Sequence, residues 1–393
     1  MITTPSPMSP AQVLRGRDRI SVAMVTPRFH PFVGGVETHV HEVATRLAAR
    51  GFEVTVLTAD LSRRLPVRED LAGLRVLRFS ATPWLGDLTW APGIHRALVQ
   101  GDWNLVHIQC VHTLVPALAM SGARRAGLPC VVSFHTGGHT SGLRRAFRPL
   151  QWRFQRPLLA RAAALVAVSE FEAGLFQEAL GLGPEHFAVI SNGFDLPPAD
   201  PDGHWSELRP PPRRPLILSV GRLERYKGHH RAIAAMPAVL RVHPDAELRV
   251  VGTGPYEQRL RRLVEATGLA SHVRFVSFPP ERRAELGRLV ASADLVTLLS
   301  EYEANPVAVM EAVGLGRRVL VASTSGLREL AQQGLASEVS LQAPDWEIGE
   351  LMAGLVRRPG PAVAPQLPTW DDCADRLAGV YREVLRRQET GSL

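Results

Sequence analysis

The sequence predicts an α/β protein made of two doubly wound parallel domains that face each other across a cleft. Three observations predict it. The 393 residues are enough for two domains, at the roughly 150 residues a domain typically uses. Short apolar runs alternate with helical patterns twice along the chain. Between the two series lies a stretch, 197–215, that holds seven prolines and can continue neither a sheet nor a helix.

The first series opens with the apolar run 20–25, followed by a glycine-bearing loop, 27–35. Val36, Val40, Val43 and Leu47 then recur at one-turn spacing, a single helical stripe. It stops at Gly51, where a C-terminal glycine belongs. Strand-like runs follow at 53–58, 74–79, 105–110, 130–134, 165–168 and 187–191, mostly separated by helical patterns. After the prolines come strands at 216–220, 247–251, 273–277, 295–299 and 318–322, alternating with helices near 229–241, 255–267, 281–291 and 306–315. A last helix, from about Asp371, carries Ala374, Leu377, Tyr381 and Val384 on one face. Buried apolar strands alternating with helices imply parallel sheets covered on both sides. Five segments follow: a disordered tail (1–18), a first domain (19–196) expected to bind the acceptor, the linker (197–215), a second domain (216–369) and a C-terminal helix (370–393) crossing back to the first domain. Ligands of such sheets bind beyond the carboxyl ends of the strands, so the interdomain cleft is the expected site.

Composition narrows the function. The chain is 45% hydrophobic and 21% charged, which is ordinary for a globular protein. Cys110, Cys130 and Cys373 are too few and too scattered for a disulfide framework or a four-cysteine zinc site, which suggests a reducing compartment. No apolar run reaches the ~18 residues of a membrane span, and the first eighteen residues lack the apolar core of a secretion signal. A cytoplasmic protein, peripheral at the inner face of the cell membrane, is expected.

Charge is uneven. Residues 1–196 hold 20 arginines against 14 carboxylates, whereas the rest of the chain is nearly balanced. Between Asp102 and Glu170 stand eight arginines and no acid. Such asymmetry fits either an anionic partner for the first half or a solvated basic face. Within it, arginines interleave with Phe147, Trp152 and Phe154. The segment 142–161 is therefore read either as an interfacial helix on anionic lipid or as a helix packing its aromatics inward. No nucleic-acid module is recognised. Of 45 basic residues, Lys227 is the only lysine. A position that kept lysine suggests a need for a compact, mobile point charge instead of a planar fork.

Several chemistries fail on spacing. The one lysine follows Tyr226, not the glycine of a Walker loop. Gly252-Thr253-Gly254 has Pro255 next and no third glycine where a dinucleotide site needs one. His41-Glu42 lacks a zincin helix's second histidine, so no protein-held metal or cofactor is expected.

What remains is a set of anion-binding loops at strand ends. Gly34 and Gly35 allow close backbone approach and precede a helix whose first N–H groups suit phosphate. In the run Gly221 to Gly228, Arg222 can fork two phosphate oxygens while Lys227 adds a point charge. In the run Glu301 to Glu311, Asn305 followed by Pro306 reads as a helix start, an Asn cap with proline at the first position. That directs the N–H groups near Val307 into the cleft. Glu303 can reach substrate hydroxyls. Glu311, inside the helix and followed by apolar Ala312 and Val313, is expected to be part-buried and to need a hydrogen-bonding partner.

Taken in order, Gly34-Gly35-Val36-Glu37, Ser133-Phe134-His135-Thr136, Ser191-Asn192-Gly193-Phe194-Asp195, the Gly221–Gly228 loop, Val251-Gly252-Thr253-Gly254-Pro255 and the Glu303/Glu311 pair resemble the family 4 glycosyltransferases. The resemblance spans about residues 20–385. It implies a GT-B fold of two Rossmann-like domains and a retaining, metal-independent enzyme whose co-substrate is a UDP- or GDP-sugar. By the same resemblance Gly35 contacts the distal phosphate, and Arg222 and Lys227 neutralise the diphosphate. Glu303 holds the transferred sugar, Glu311 the ribose, and His135 lies beside the reacting centre. Asn305 and Pro306 depart from the pair many relatives carry there. A lipid-linked or other anionic acceptor of a glycoconjugate or polysaccharide pathway is expected. A nucleotide-sugar epimerase of like architecture and a non-catalytic nucleotide-sugar-binding partner are the alternatives.

Overall fold

The computed structural model describes residues 19–32, 34–85, 88–136, 152–194, 214–279, 282–356 and 367–391. The tail 1–18, most of the proline-rich linker and residues 142–151 of the basic segment lie outside them.

The first half forms an eight-stranded sheet from β1 (Ser21–Thr26), β2 (Glu53–Asp60), β3 (Arg68–Leu71), β4 (Leu74–Ser80), β7 (Leu105–Gln109), β8 (Cys130–Ser133), β9 (Ala164–Ala167) and β10 (Phe187–Val189). Its order is β10-β9-β8-β7-β1-β2-β4-β3. All neighbours run parallel except the edge pair β3–β4. Two short strands, β5 (Thr82–Leu85) and β6 (Leu88–Trp90), make a separate hairpin. The helices are α1 (Gly35–Ala49), α2 (Pro92–Gln100), α3 (Leu114–Arg125), α4 (152–159) and α5 (Glu170–Leu180). The sequence pattern predicts neither β3 nor the β5–β6 hairpin. These are edge or two-stranded pieces without the apolar run of a central strand.

The second half is a fully parallel six-stranded sheet of β11 (Leu216–Val220), β12 (Glu247–Val251), β13 (Val273–Val276), β14 (Leu295–Leu298), β15 (Val319–Ala322) and β16 (Ser337–Val339), in the order β13-β12-β11-β14-β15-β16. Covering it are α6 (His229–Val242), α7 (Glu257–Ala266), α8 (Arg283–Ala291), α9 (Val307–Gly314), α10 (Ser325–Gln332) and α11 (Asp345–Val356). Every residue of β11, β12, β14 and β15 is buried, as strands covered on both faces must be.

The last helix, α12 (Trp370–Glu389), starts with a capping box between Thr369 and Asp372, which satisfies two otherwise orphaned N–H groups. Its stripe of Trp370, Cys373, Ala374, Leu377, Tyr381 and Val384 shares one core with Val40, Val43, Ala44 and Leu47 of α1. Burying each of the large side chains contributes about 1.5–3 kcal/mol, so the C-terminal helix is held firmly on the first half. The chain leaves the first half and returns side by side, with Phe194 bridged to Thr369. At Gly193 an added Cβ would stand 2.3 Å from the Trp370 nitrogen, so only glycine lets the two passes lie this close.

Candidate active site

Each sheet has one place where neighbouring strands depart in opposite directions along the order. In the first it is β1, between β2 and β7, and in the second it is β11, between β12 and β14. Loops beyond the carboxyl ends of such strands form the binding crevice of open α/β sheets. The loop after β1 carries Gly34 and Gly35, and the loop after β11 carries Arg222 and Lys227. Between the two sheets lies a cavity of about 310 Å³ lined by Gly34, Gly35, His135, Arg222, Lys227, Glu303, Asn305, Pro306, Val307 and Glu311. All ten sequence-predicted residues therefore meet at one place. A second hollow, about 520 Å³, is lined by Glu170, Gln177, Glu329 and Arg376 among others and receives none of the glycine or cation loops.

The loop after β11 is built by close backbone contact. Gly228 has φ +74°, and a Cβ there would stand 2.0 Å from the Leu299 carbonyl oxygen. Glycine thus lets the loop press on the end of β14, where the Glu301 N–H donates to the Tyr226 carbonyl at 2.7 Å. That contact brings Lys227 to Glu303. The lysine Nζ donates to Glu303 Oε1 at 2.5 Å, and Ser300 Oγ donates to the same oxygen at 2.8 Å. The Glu303 N–H is held in turn by Ser325 Oγ at 2.9 Å. An ammonium has three donors, so the bond to Glu303 leaves two for phosphate oxygens.

Arg222 is oriented from behind. Its guanidinium donates to Tyr226 OH at 3.0 Å, and its carbonyl accepts from His229 Nε2 at 3.1 Å. Since a carbonyl only accepts, His229 carries its proton on Nε2 and accepts a hydrogen bond from the Ser219 hydroxyl at Nδ1, 2.8 Å away. Burial lowers the His229 pKa to about 4, which keeps that neutral tautomer.

The helix start at Asn305-Pro306 differs from the expected cap. Pro306, not Asn305, occupies the position before α9, and no side chain caps the helix. Asn305 instead uses its backbone carbonyl, which accepts from Asn192 Nδ2 at 2.7 Å. The first N–H groups of a helix have no intrahelical partner, so those at the start of α9, where Val307 lines the cavity, remain available as donors. Glu311 is 4% exposed, more deeply buried than expected, and its partner is Arg283, which donates to Oε1. Desolvation pushes the Glu311 pKa upward, and the guanidinium opposes this.

Across the cavity, α1 begins at Gly35 after an extended Gly34, with no side-chain cap. Beyond its chain neighbours and its own helix backbone, a Cβ on Gly35 would meet no atom of the described residues within 4 Å. The position faces open space, which suits a ligand's close approach. His135 follows β8 with φ +48°, a left-handed conformation that a non-glycine residue keeps only when its surroundings impose it. Glu172, wholly buried in the first turn of α5, supplies that constraint. Its Oε1 accepts from the Thr136 N–H at 2.5 Å and from the Thr136 hydroxyl, and its Oε2 from the Val168 N–H at 2.9 Å. Desolvation raises the Glu172 pKa, and these donors counter it. The His135 ring is held by Gln109 and lies edge-on to His39 at 4.4 Å. His39 Nδ1 meets Asn192 Oδ1 at 2.9 Å, so Asn192 joins helix α1 to the loop of Asn305. Burial holds the His39 pKa at about 4 and the His135 pKa well below its ordinary value.

Arg283, Asn192, Gln109 and Glu172 were not singled out as site residues by the sequence. Asn192 lies within the Ser191–Asp195 motif, which by itself gives it no role. The others come from elements far apart in the chain, and no local spacing marks them. Of the basic segment, 152–159 is helical. Trp152 packs inward on Phe176 with ring centroids 5.1 Å apart, whereas Phe154 is 74% exposed. Phe147 lies outside the described residues. Among the described residues no helix is long and apolar enough to cross a membrane.

Comparison with known proteins matches this geometry. Residues 33–197 fit the model of Glycosyltransferase Family 4, and residues 205–347 that of Glycosyl transferases group 1. A D-inositol 3-phosphate glycosyltransferase of Segniliparus rotundus is 28% identical over 385 residues, covering 90% of this chain and 85% of the relative. A glycogen synthase of Mycobacterium tuberculosis is 27% identical over 348 residues, covering 80% of each. Among solved structures, sucrose-phosphate synthase from Thermosynechococcus elongatus superposes with TM-score 0.72 at 20% identity, over 94% of this chain and all of that one. HepE of Anabaena, solved with UDP-glucose, superposes with TM-score 0.67 at 20% identity, over 95% and 100%. With two parallel sheets enclosing one cation-lined cleft and both halves matching, the chain belongs to the family 4 glycosyltransferases of GT-B fold, retaining enzymes that use a nucleotide-sugar donor.

Proposed function

We propose that this protein transfers a hexose from a UDP- or GDP-sugar to a hydroxyl of an anionic or lipid-linked acceptor in glycoconjugate or polysaccharide synthesis. The observation that carries this reading is the convergence of Arg222, Lys227, Gly35 and the open start of α9 on one cavity. As the anomeric bond breaks, negative charge grows on the departing diphosphate and positive charge on the sugar ring. Preorganised cations and N–H dipoles stabilise the first. Lys227 and Arg222 supply full charges, and the N–H groups at Gly35 and Val307 supply dipoles.

Glu303, neutralised by Lys227, accepts from hydroxyls of the transferred sugar and Glu311 from those of the ribose, the roles the resemblance implies. The resemblance implies retention by attack on the same ring face, with a leaving-group oxygen helping to deprotonate the acceptor. The basic first half suits an anionic acceptor or the membrane surface that carries it. Exposed Phe154 beside Arg153 and Arg156 supports contact there, while inward-packed Trp152 limits how much of the segment can take part.

The test is a panel of UDP- and GDP-sugars assayed for nucleoside diphosphate release with and without acceptor extracts. Acceptor-dependent release with formation of a glycoside supports transfer. Acceptor-independent conversion of the donor into an isomeric nucleotide sugar, with no net diphosphate release, would make the protein an epimerase instead, and donor binding without any turnover would make it a binding partner.

A further inference from the structure

We propose that Gln109 is a positioning residue for the transfer, its amide oxygen fixing His135 as the Nε2–H tautomer so that Nδ1 offers a lone pair to a substrate hydroxyl. The proposal rests on reading His135 as part of the reacting centre.

The argument is an inventory of protons. His135 Nε2 lies 2.7 Å from Gln109 Oε1. An amide oxygen can only accept, so the ring must donate there. Burial holds the ring neutral, and a neutral imidazole carries one N–H. Nδ1 is then unprotonated.

The amide is itself fixed. Gln109 Nε2 lies 3.2 Å from both ring nitrogens of His107. His107 is clamped between Tyr381 OH on Nδ1, at 2.5 Å, and Ser133 Oγ on Nε2, at 2.8 Å. Burial lowers the His107 pKa to about 3, so the ring is neutral, one nitrogen donating to its hydroxyl and the other accepting from its own, and the fixed ring holds the amide nitrogen by contact with both. Tyr381 comes from α12, which ties the C-terminal helix to the site through three side chains. A chain of buried polar groups is worth its desolvation only when every member is satisfied, and this one ends on the ring that lines the cleft.

The Glu172 bonds described above fix the His135 backbone, and Gln109 fixes the ring; both are needed to hold a side chain on a φ of +48°. The titratable groups facing His135 are His39 from α1, His107 from β7, His112 beyond β7 and Glu172 from α5. None offers a second acceptor bonded to Nε2.

The test reads the tautomer directly. In protein labelled with 15N-histidine, the long-range 1H–15N pattern of His135, identified by its loss in His135→Ala, should show protonated Nε2 and bare Nδ1 at pH 7. Gln109→Met should mix the tautomers and lower kcat by up to ~10²-fold, with donor KM little changed, as for a misplaced catalytic group. Gln109→Glu keeps an acceptor at that place and should restore the tautomer. Its carboxylate should also raise the ring pKa and bring a new ionisation into the kcat profile between about pH 5 and 8. An Nδ1–H pattern in the unmodified protein overturns the proposal without any variant. A tautomer and kcat indifferent to Gln109→Met overturn the role of Gln109 alone. Full activity in His135→Ala overturns the reading beneath it.

Discussion

Lys227 and Glu303 meet at 2.5 Å across the mouth of the second sheet, although 76 residues separate them in the chain. The pair is almost out of water, with side chains 15% and 9% exposed. Breaking a buried pair from one side leaves an uncompensated charge. The two residues are therefore mutually dependent before any substrate arrives. On the proposed roles, a diphosphate brought to Lys227 would draw on the ammonium that neutralises Glu303, which couples leaving-group stabilisation to sugar orientation through one bond.

Gly35→Ala separates folding from donor binding. Beyond its own helix and chain neighbours, the new methyl meets no atom of the described residues within 4 Å, and alanine suits a helix better than glycine by up to about 1 kcal/mol. Thermal stability should hold or rise while donor KM rises at least tenfold, because the methyl occupies the space a phosphate must enter. Parallel melting curves and donor saturation curves check this, and an unaltered KM would place the phosphate elsewhere.

Gly326→Ala acts on the same site from behind. A Cβ there would stand 1.8 Å from the Ala304 carbonyl oxygen, and the Gly326 N–H donates to the Glu303 carbonyl at 2.9 Å. The loop bearing Glu303 must shift, and a displacement of about 1 Å can cost ~10²-fold in rate. Steady-state kinetics should show kcat falling by that order.

Asn192→Ala removes a side chain that donates to the Asn305 carbonyl and contacts His39. Leaving buried partners unsatisfied costs about 1–3 kcal/mol. The urea midpoint should fall accordingly, and donor affinity should weaken because the Asn305 loop loses its tether. A variant as stable and as active as the original would show that the bridge carries nothing.

Acid should destabilise the fold before its surface carboxylates titrate. His39 and His229 are lowered to about 4 and His107 to about 3, all from 6.5 and all chiefly by burial. Each binds a proton in the unfolded chain below pH 6.5 but resists it when folded. Stability is complete above pH 6.5 and is lost as pH falls toward the folded values, by about 2 kcal/mol per ring between pH 6.5 and 5. Glu172 and Glu311, raised by desolvation, work in the opposite direction and reduce the net slope. Urea unfolding at pH 7 and pH 5 should show the lower value at pH 5; equal values would contradict the burial of these rings as neutral groups.

Much of this was legible in the chain because parallel α/β architecture writes itself in order. Apolar runs mark the buried strands, and the residues just after them mark the cleft. Gly34, Lys227 and Asn305 could be placed that way from spacing alone. The expected Asn305 cap does not form because Pro306 takes the position before α9, while Asn192, 113 positions away, holds the Asn305 carbonyl. Gln109 reads in sequence as one more residue of a buried strand. Its partners are His107 on the same strand and His135 just after β8, and His107 extends the chain to Tyr381 of α12; a network that exists only after folding leaves no periodicity to read.

The most direct measurement is nucleoside diphosphate release in a single turnover by Lys227→Met, set beside the original protein at saturating donor. Loss of one preorganised charge at the leaving group typically costs ~10²–10³ in rate. We expect release to slow by that factor while the fold survives with a lowered melting temperature, because Glu303 loses its buried partner. Release at the original rate would mean that the lone lysine does not stabilise the departing group.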